Sequence, residues 1–203
     1  MSAREVELKA LVERPAEVAA RIETRGAVRT FRGRMSDHRY DLPSRALESR
    51  DEVLRVRTFT AACGSAPRPA EVAWKGPTRQ ASGYKEREEL EFAVADSGPV
   101  EAILAHLGLT VIDAIDRCVE VYRMDDAALR LEWYPRMDVL LEVEGPPAAI
   151  EAAVAATGMP RTAFTADRLV DFGVRYQRRT GTAPALNLEG LGGGQPGWPA
   201  WAR

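Results

Sequence analysis

Residues 4–10 read "REVELKA", in which Glu5, Glu7 and Lys9 alternate strictly with Val6, Leu8 and Ala10. Successive side chains on a strand point to opposite faces, so this period of two lines three charges on one face and three apolar groups on the other. The pattern recurs along the chain. Arg55 and Arg57 stand against Leu54 and Val56; Lys75 shares a parity with Glu71 and Ala73 against Val72 and Trp74. Arg87, Glu89 and Glu91 stand against Leu90 and Phe92, Arg130 and Glu132 against Leu129, Leu131 and Trp133, and Glu142 and Glu144 against Leu141 and Val143. One such strand is the ordinary half-wet strand of an antiparallel sheet. Their repetition says more, because like charges at i and i+2 stand about 7 Å apart and repel unless a counter-charge lies between them. Paired Glu residues suit divalent cations, and paired Arg residues suit a polyanion. A sheet closed into a barrel with this face inward gathers both sets around one elongated cavity, leaving the apolar parity outside under amphipathic helices.

The rest of the sequence supplies the pieces. Alternation marks strands at 4–12, 53–61, 70–75, 85–94 and 137–144, with weaker ones at 27–33, 35–41, 114–123 and 128–134. Helical patterns fall at 15–25, which opens on Pro15 and stops at Gly26, and at 99–108, where Val100, Ile103, Leu104 and Leu107 share one side before Gly108. Segments 147–157 and 165–178 read the same way. After Thr180 the sequence "GTAPALNLEGLGGGQPGWPAWAR" is rich in Gly and Pro with no sustained apolar period. It reads as a flexible tail over 180–203 attached to one domain over 1–179, with Trp198 and Trp201 available for a late contact.

Composition narrows the function classes. The 203 residues are 45% hydrophobic, enough for one sizeable core, and Lys+Arg 28 against Asp+Glu 30 leaves a net charge of -2. No basic excess points to nucleic acid, and no apolar run approaches the roughly 20 residues of a membrane span, so neither partner is expected. Cys63 and Cys118 are far apart and read as free thiols of a reducing compartment, which with the charged N-terminus gives a cytoplasmic expectation. His38 and His106 pair with no nucleophile and read as structural.

Several short segments follow one another in a telling order: "EVELK" (5–9), "DHRYDLPSRAL" (37–47), "LRVR" (54–57), "WKGP" (74–77), "REELE" (87–91) and "EVE" (142–144). Their succession resembles the CYTH family, the triphosphate tunnel metalloenzymes, which includes class IV adenylyl cyclases, thiamine triphosphatases and inorganic triphosphatases. They match its E-x-E-x-K, D-x-x-Y-D-x-P, L-R-x-R, K-G-P, R-x-E-x-E and closing E-x-E elements. The resemblance implies an α+β fold in which an eight-stranded antiparallel β-barrel, the triphosphate tunnel, carries its helices outside. It covers most of residues 1–179. Two positions depart from the pattern: Arg117-Cys118-Val119 lacks a second basic residue at Val119, and Glu132 stands where Asp is common.

Parity and resemblance together assign roles. Lys9, Arg55, Arg57, Arg87, Arg117 and Arg130 bind the phosphate chain of a triphosphate-containing small molecule, since Arg grips phosphate oxygens with a planar fork. Glu5, Glu7, Glu132, Glu142 and Glu144 offer hard oxygens without Cys or His at ligand spacing, which suits Mg2+ or Mn2+. Lys75 is a catalytic point charge, and Glu89 or Glu91 a proton acceptor for attacking water. The expected activity is metal-dependent triphosphate hydrolysis. Conversion of ATP to cyclic AMP and pyrophosphate is the alternative, and a non-catalytic polyphosphate or nucleotide binder the second. The oligomeric state is left open, a homodimer included.

Overall fold

The computed structural model describes residues 3–202; Met1, Ser2 and Arg203, which the division into domain and tail includes, lie outside the described residues. Strand β1 (Ala3–Leu11) is buried on both faces: Leu8 and Ala10 on one, Glu5, Glu7 and Lys9 on the other. Buried charge is tolerated only when paired, so the second face needs a charged enclosure. The other strands build it. They are β2 (Val28–Asp41), β3 (Val53–Ala61), β4 (Ala70–Lys75), β5 (Arg79–Ala81), β6 (Tyr84–Val94), β7 (Thr110–Met124), β8 (Ala127–Trp133) and β9 (Leu140–Glu144). Neighbours are antiparallel in the order β1, β9, β8, β7, β2, β3, β4, β6, and β6 pairs again with β1, closing an eight-stranded barrel. Short β5 pairs only with β6, through a turn at Ser82 and Gly83 that both take positive φ, as a tight hairpin requires. The two weak segments 27–33 and 35–41 are one continuous strand, β2, paired with β7 along most of its length.

Four helices lie outside the barrel. Helices α1 (Pro15–Thr24) and α3 (Pro147–Thr157) each carry Pro in the first turn, where no backbone donor is lost. Their Val18, Ile22, Ile150 and Val154 cover Leu8, Leu129, Leu131, Leu141 and Val143, the outward parity of β1, β8 and β9. Each such side chain fully buried contributes roughly 1.5–3 kcal/mol. Helix α2 (Gly98–His106) sets Leu104 against Tyr40, Val56 and Val72. Helix α4 (Leu169–Thr180) sets Phe172 against Ile115, Tyr134 and Leu140. Ile115 and Leu140 lie opposite Asp37 and Glu132, so they face inward and α4 leans over one end of the barrel. Among the described residues no helix is long and apolar enough to cross a membrane.

The chain after Thr180 lies against the barrel, in contrast to the flexible tail its composition suggests. The β7–β8 ladder ends at the pair Cys118 and Trp133, which leaves the earlier half of β7 with open backbone groups on that side. The C-terminal chain fills the gap. Asp116 N–H donates to Leu186 O at 2.8 Å, Asn187 Nδ2 donates to Ala114 O at 3.0 Å, and Ala185 forms a two-bond bridge with Arg136. Ala185, Leu191 and Trp198 are buried, and Trp201 meets Trp133 edge to face with ring centroids 6.0 Å apart. Backbone pairing and aromatic anchoring need no apolar period, so side-chain periodicity is blind to them. Removal of residues 181–203 is therefore expected to lower the melting temperature by about 10 °C or more, at roughly 2–4 °C per kcal/mol for a chain of this size. A change below about 2 °C in a thermal melt would contradict this packing.

Candidate active site

Residues directly opposite on neighbouring strands share a face, so the register defines the barrel lining. Glu7 lies opposite Lys85 on one side and Glu144 on the other; Glu5 lies opposite Arg87, and Lys9 opposite Glu142, which faces Arg130. Glu132 lies opposite Val119, Met35 opposite Arg117 and Phe59, Asp37 opposite Arg57, and Lys75 opposite Glu89. The charged parity of the sequence is the inner face on β1, β3, β4, β6, β8 and β9.

These charges form a chain of ion pairs around the lumen. Asp37 receives Arg57 side-on, Nε at 2.6 Å and Nη2 at 3.1 Å, and Arg117 Nη2 at 2.9 Å, with Arg55 Nη1 at 3.9 Å. Arg117 also meets Glu132 at 3.0 Å, Glu132 meets Arg130 at 2.8 Å, and Arg130 pairs with Glu142. Lys9 then joins Glu142 at 2.6 Å to Glu7 at 2.7 Å, and Lys85 pairs with Glu7. On the opposite wall Lys75 joins Glu5 at 2.5 Å to Glu89 at 3.1 Å, and Arg55 meets Glu89 at 3.7 Å and Glu91 at 3.3 Å. Of the residues assigned from sequence, Arg87 alone turns to backbone: Nε donates to Gly76 O and Nη2 to Asp51 O, both at 2.6 Å, tying two loops together.

Three carboxylates converge. Glu5, Glu89 and Glu144 bring one oxygen each within 4.8 Å of one another. Burial pushes Glu144 up to about 7, helped by the nearby charges of Glu5 and Glu142. Burial also raises Glu89. Burial would raise Glu5 as well, but Lys75 outweighs it and holds that group below its usual value. Glu5 Oε2 is buried without a hydrogen-bond partner. Crowded hard oxygens, one of them unsatisfied and another holding its proton to neutrality, are a donor set that a divalent cation fits. By contrast Glu132 and Glu142 are held low despite burial, Glu132 by Arg117 and Arg130 and Glu142 by Arg130 and Lys9. Glu7, Glu132 and Glu142, assigned from sequence as metal ligands, thus lie against basic side chains, while Glu89, assigned as a proton acceptor, lies in the acidic trio. Glu91 stands at the margin with its side chain 40% exposed.

One part of the inner face is apolar. Phe31, Met35 and Val119 are buried together with Phe59, Ala61 and Val121 beside them. Val119 keeps the parity of Arg117 with no bulge at that position, so it does face inward, into this block. Arg130, not Arg123, supplies the next cation, since Arg123 is exposed. Sequence reasoning passed over Asp37, Lys85 and Tyr134, whose hydroxyl donates to Glu132 at 2.6 Å. Lys85 shares the parity of Arg87 and could have been read from it; Asp37 lies inside the "DHRYD" segment without a charged i+2 partner of its own sign. His38 and His106 are exposed, and Cys63 and Cys118 are free thiols.

The sequence pattern of the CYTH domain matches residues 3–155. No curated protein matches the chain. Among solved structures, a candidate adenylate cyclase from Vibrio parahaemolyticus superposes with a TM-score of 0.70 at 15% identity, covering 85% of this chain and 98% of that one. PH1819 from Pyrococcus horikoshii superposes at 0.65 with 20% identity, covering 84% and 98%. The Hippeastrum protein HpAC1, a candidate adenylyl cyclase with a dominant triphosphatase activity, superposes at 0.61 with 14% identity, covering 92% and 99%. At these identities the likeness is one of fold.

The acidic trio makes a pH-dependent prediction. A carboxyl whose folded value lies near 7, above the ordinary 4.5, contributes stability that is present below about 4.5 and lost as pH rises through about 7. Glu144→Gln removes the repulsion that replaces it. In metal-free buffer the variant should melt roughly 3–8 °C above the wild type near pH 8 and within about 1 °C of it near pH 5. An equal difference at both pH values would contradict the raised carboxyl.

Proposed function

The chain belongs to the CYTH family, and from that premise we propose that it is a divalent-metal-dependent triphosphatase whose substrate is an inorganic, nucleoside or thiamine triphosphate. The observation that carries the reading is the convergence of Arg55, Arg57, Arg117, Arg130, Lys9 and Lys75 on a lumen that also holds Glu5, Glu89 and Glu144. A triphosphate carries close to four negative charges and needs several fixed cations at once, and Arg supplies them as planar forks. Glu5, Glu89 and Glu144 would hold Mg2+ or Mn2+, whose hard-cation preference matches an all-carboxylate set. Such an ion, when bound, neutralises phosphate charge and lowers the pKa of water.

The side chains then have separable tasks. Arg57 and Arg117, which share Asp37, hold one stretch of the phosphate chain, and Arg130 and Lys9, further along the same run of ion pairs, hold the next. Lys75, beside Glu5 and Glu89, meets the end of the chain nearest the acidic trio and stabilises charge developing on the leaving oxygen. Glu91, the most exposed carboxylate of the set, takes the proton of the attacking water and passes it to solvent. Phosphoryl transfer asks for alignment and charge neutralisation more than covalent help, which such a wall provides. Arg87 acts indirectly, through the loops that flank Lys75. Hydrolysis is favoured over cyclisation because it asks for no base contact, and the apolar block around Val119 packs on its own side chains. The free thiols and balanced charge support a cytoplasmic protein that acts on a small molecule.

The test is a product panel. Tripolyphosphate, ATP and thiamine triphosphate are incubated after chelation with Mg2+, Mn2+ or neither, and phosphate, pyrophosphate and cyclic AMP are measured. Phosphate release that depends on added metal is expected, with Arg57→Ala at least about 100-fold slower. Cyclic AMP as main product would replace the reading with cyclisation, and full turnover without metal would overturn the assignment of the trio.

A further inference from the structure

Asp37 is an acidic group at the focus of arginines that a polyanion is expected to occupy. Its carboxylate is 3% exposed and takes Arg57 through two bonds and Arg117 through one, with Arg55 just beyond. The arginines hold Asp37 far below the usual carboxylate range in spite of its burial, Arg117 foremost. Burial, with the charge of Arg57 beside it, lowers Arg55 in spite of the nearby Asp37, Glu89 and Glu91. Each guanidinium meets Asp37 with one edge only. Arg57 uses Nε and Nη2 and leaves Nη1 toward Glu71 at 3.6 Å, and Arg55 Nε is buried with no hydrogen-bond partner.

We propose that Asp37 is a positioning residue and resident counter-anion: it holds Arg55, Arg57 and Arg117 together at one point while the lumen is empty, and phosphate takes the guanidinium nitrogens that Glu71, Glu91 and Glu132 face in its absence. The inference rests on the triphosphate reading. Each guanidinium has a second carboxylate of its own, Glu132 for Arg117, Glu71 for Arg57 and Glu91 for Arg55, but Asp37 reaches all three, so it offsets their mutual repulsion and sets them relative to one another before substrate arrives. The same acid opposes the substrate. Bound phosphate loses part of the arginines' attraction to Asp37, and affinity is exchanged for a pre-set geometry, which raises the rate of the chemical step.

Asp37→Asn separates these effects. With Mg2+ at a fixed concentration, binding of the non-hydrolysable imidotriphosphate is measured by calorimetry, and kcat and KM by phosphate release from tripolyphosphate. The account predicts binding about tenfold tighter in the variant, one charge-assisted hydrogen bond's worth, with kcat at least about tenfold lower. It also predicts that the melting-temperature deficit of the variant is large in the empty protein and shrinks when imidotriphosphate supplies the missing anion. Affinity unchanged or weakened, with the same deficit in empty and loaded protein, would make Asp37 a purely structural residue and overturn the inference. Wild type that binds no imidotriphosphate would overturn the triphosphate reading and this inference together. Wild type that binds it, beside a variant that binds no tighter, overturns this inference alone. Should Asp37→Asn not fold when empty, refolding with imidotriphosphate must recover it where orthophosphate at equal ionic strength does not, and failure to recover it counts against the proposal.

Discussion

Charges facing the inside of a closed barrel cannot be solvated as they are at a surface, so each must find a counter-charge within a few ångströms. In this protein that condition is met strand against strand. Asp37, Arg117, Glu132, Arg130, Glu142, Lys9 and Glu7 link in sequence around one wall, and Glu5, Lys75, Glu89 and Arg55 around the other. The lining is its own salt. On the proposed reading a metal with a polyphosphate replaces both halves at once, phosphate oxygens taking the cations and the metal taking the carboxylates. Either alone would leave buried charges of one sign unpaired.

The rest of the architecture keeps that lining in register. A one-residue slip of any strand would exchange its charged and apolar faces, and the helices penalise it by covering Leu8, Leu129, Leu141 and Val143 on the outside. The C-terminal segment does the same at the open half of β7, where Arg117 begins the charged run. Arg32 and Arg34, outward on β2, lie over the rings of Trp201 and Trp198 at 5.4 Å and 5.3 Å. The attraction of a guanidinium for the face of an indole lets this outer face be covered although it is basic.

That strand also shows where sequence reading succeeds and fails. Over residues 5–9, 54–57, 129–132 and 141–144 the inner face is charged and the outer apolar, and alternation alone assigns those sides. On β2 the order inverts: Phe31, Gly33 and Met35 face inward while Arg32, Arg34 and Ser36 face out. The inner apolar block is made where β2, β3 and β7 meet, and only the three-dimensional neighbourhood of Val119 explains why it is not basic. Asp37 is legible as part of a motif but not as a partner of three arginines, because Arg57 and Arg117 reach it from other strands. The packing of the chain after Thr180 is hidden for a related reason, since its bonds run largely through backbone atoms that carry no residue-type signal. The division of the carboxylates into a convergent trio that shares Lys75 and a set spaced apart by Arg117, Arg130 and Lys9 depends on which lysine or arginine each can reach, and strand parity contains no such information.

The central claim, that metal and polyphosphate exchange partners with a self-paired lining, is tested most directly by titrating imidotriphosphate into the metal-free protein and again at saturating Mg2+. The account predicts affinity at least about 100-fold higher with metal, a coupling near 3 kcal/mol, with a matching increase in metal affinity when imidotriphosphate is present. Equal affinity with and without metal would contradict it.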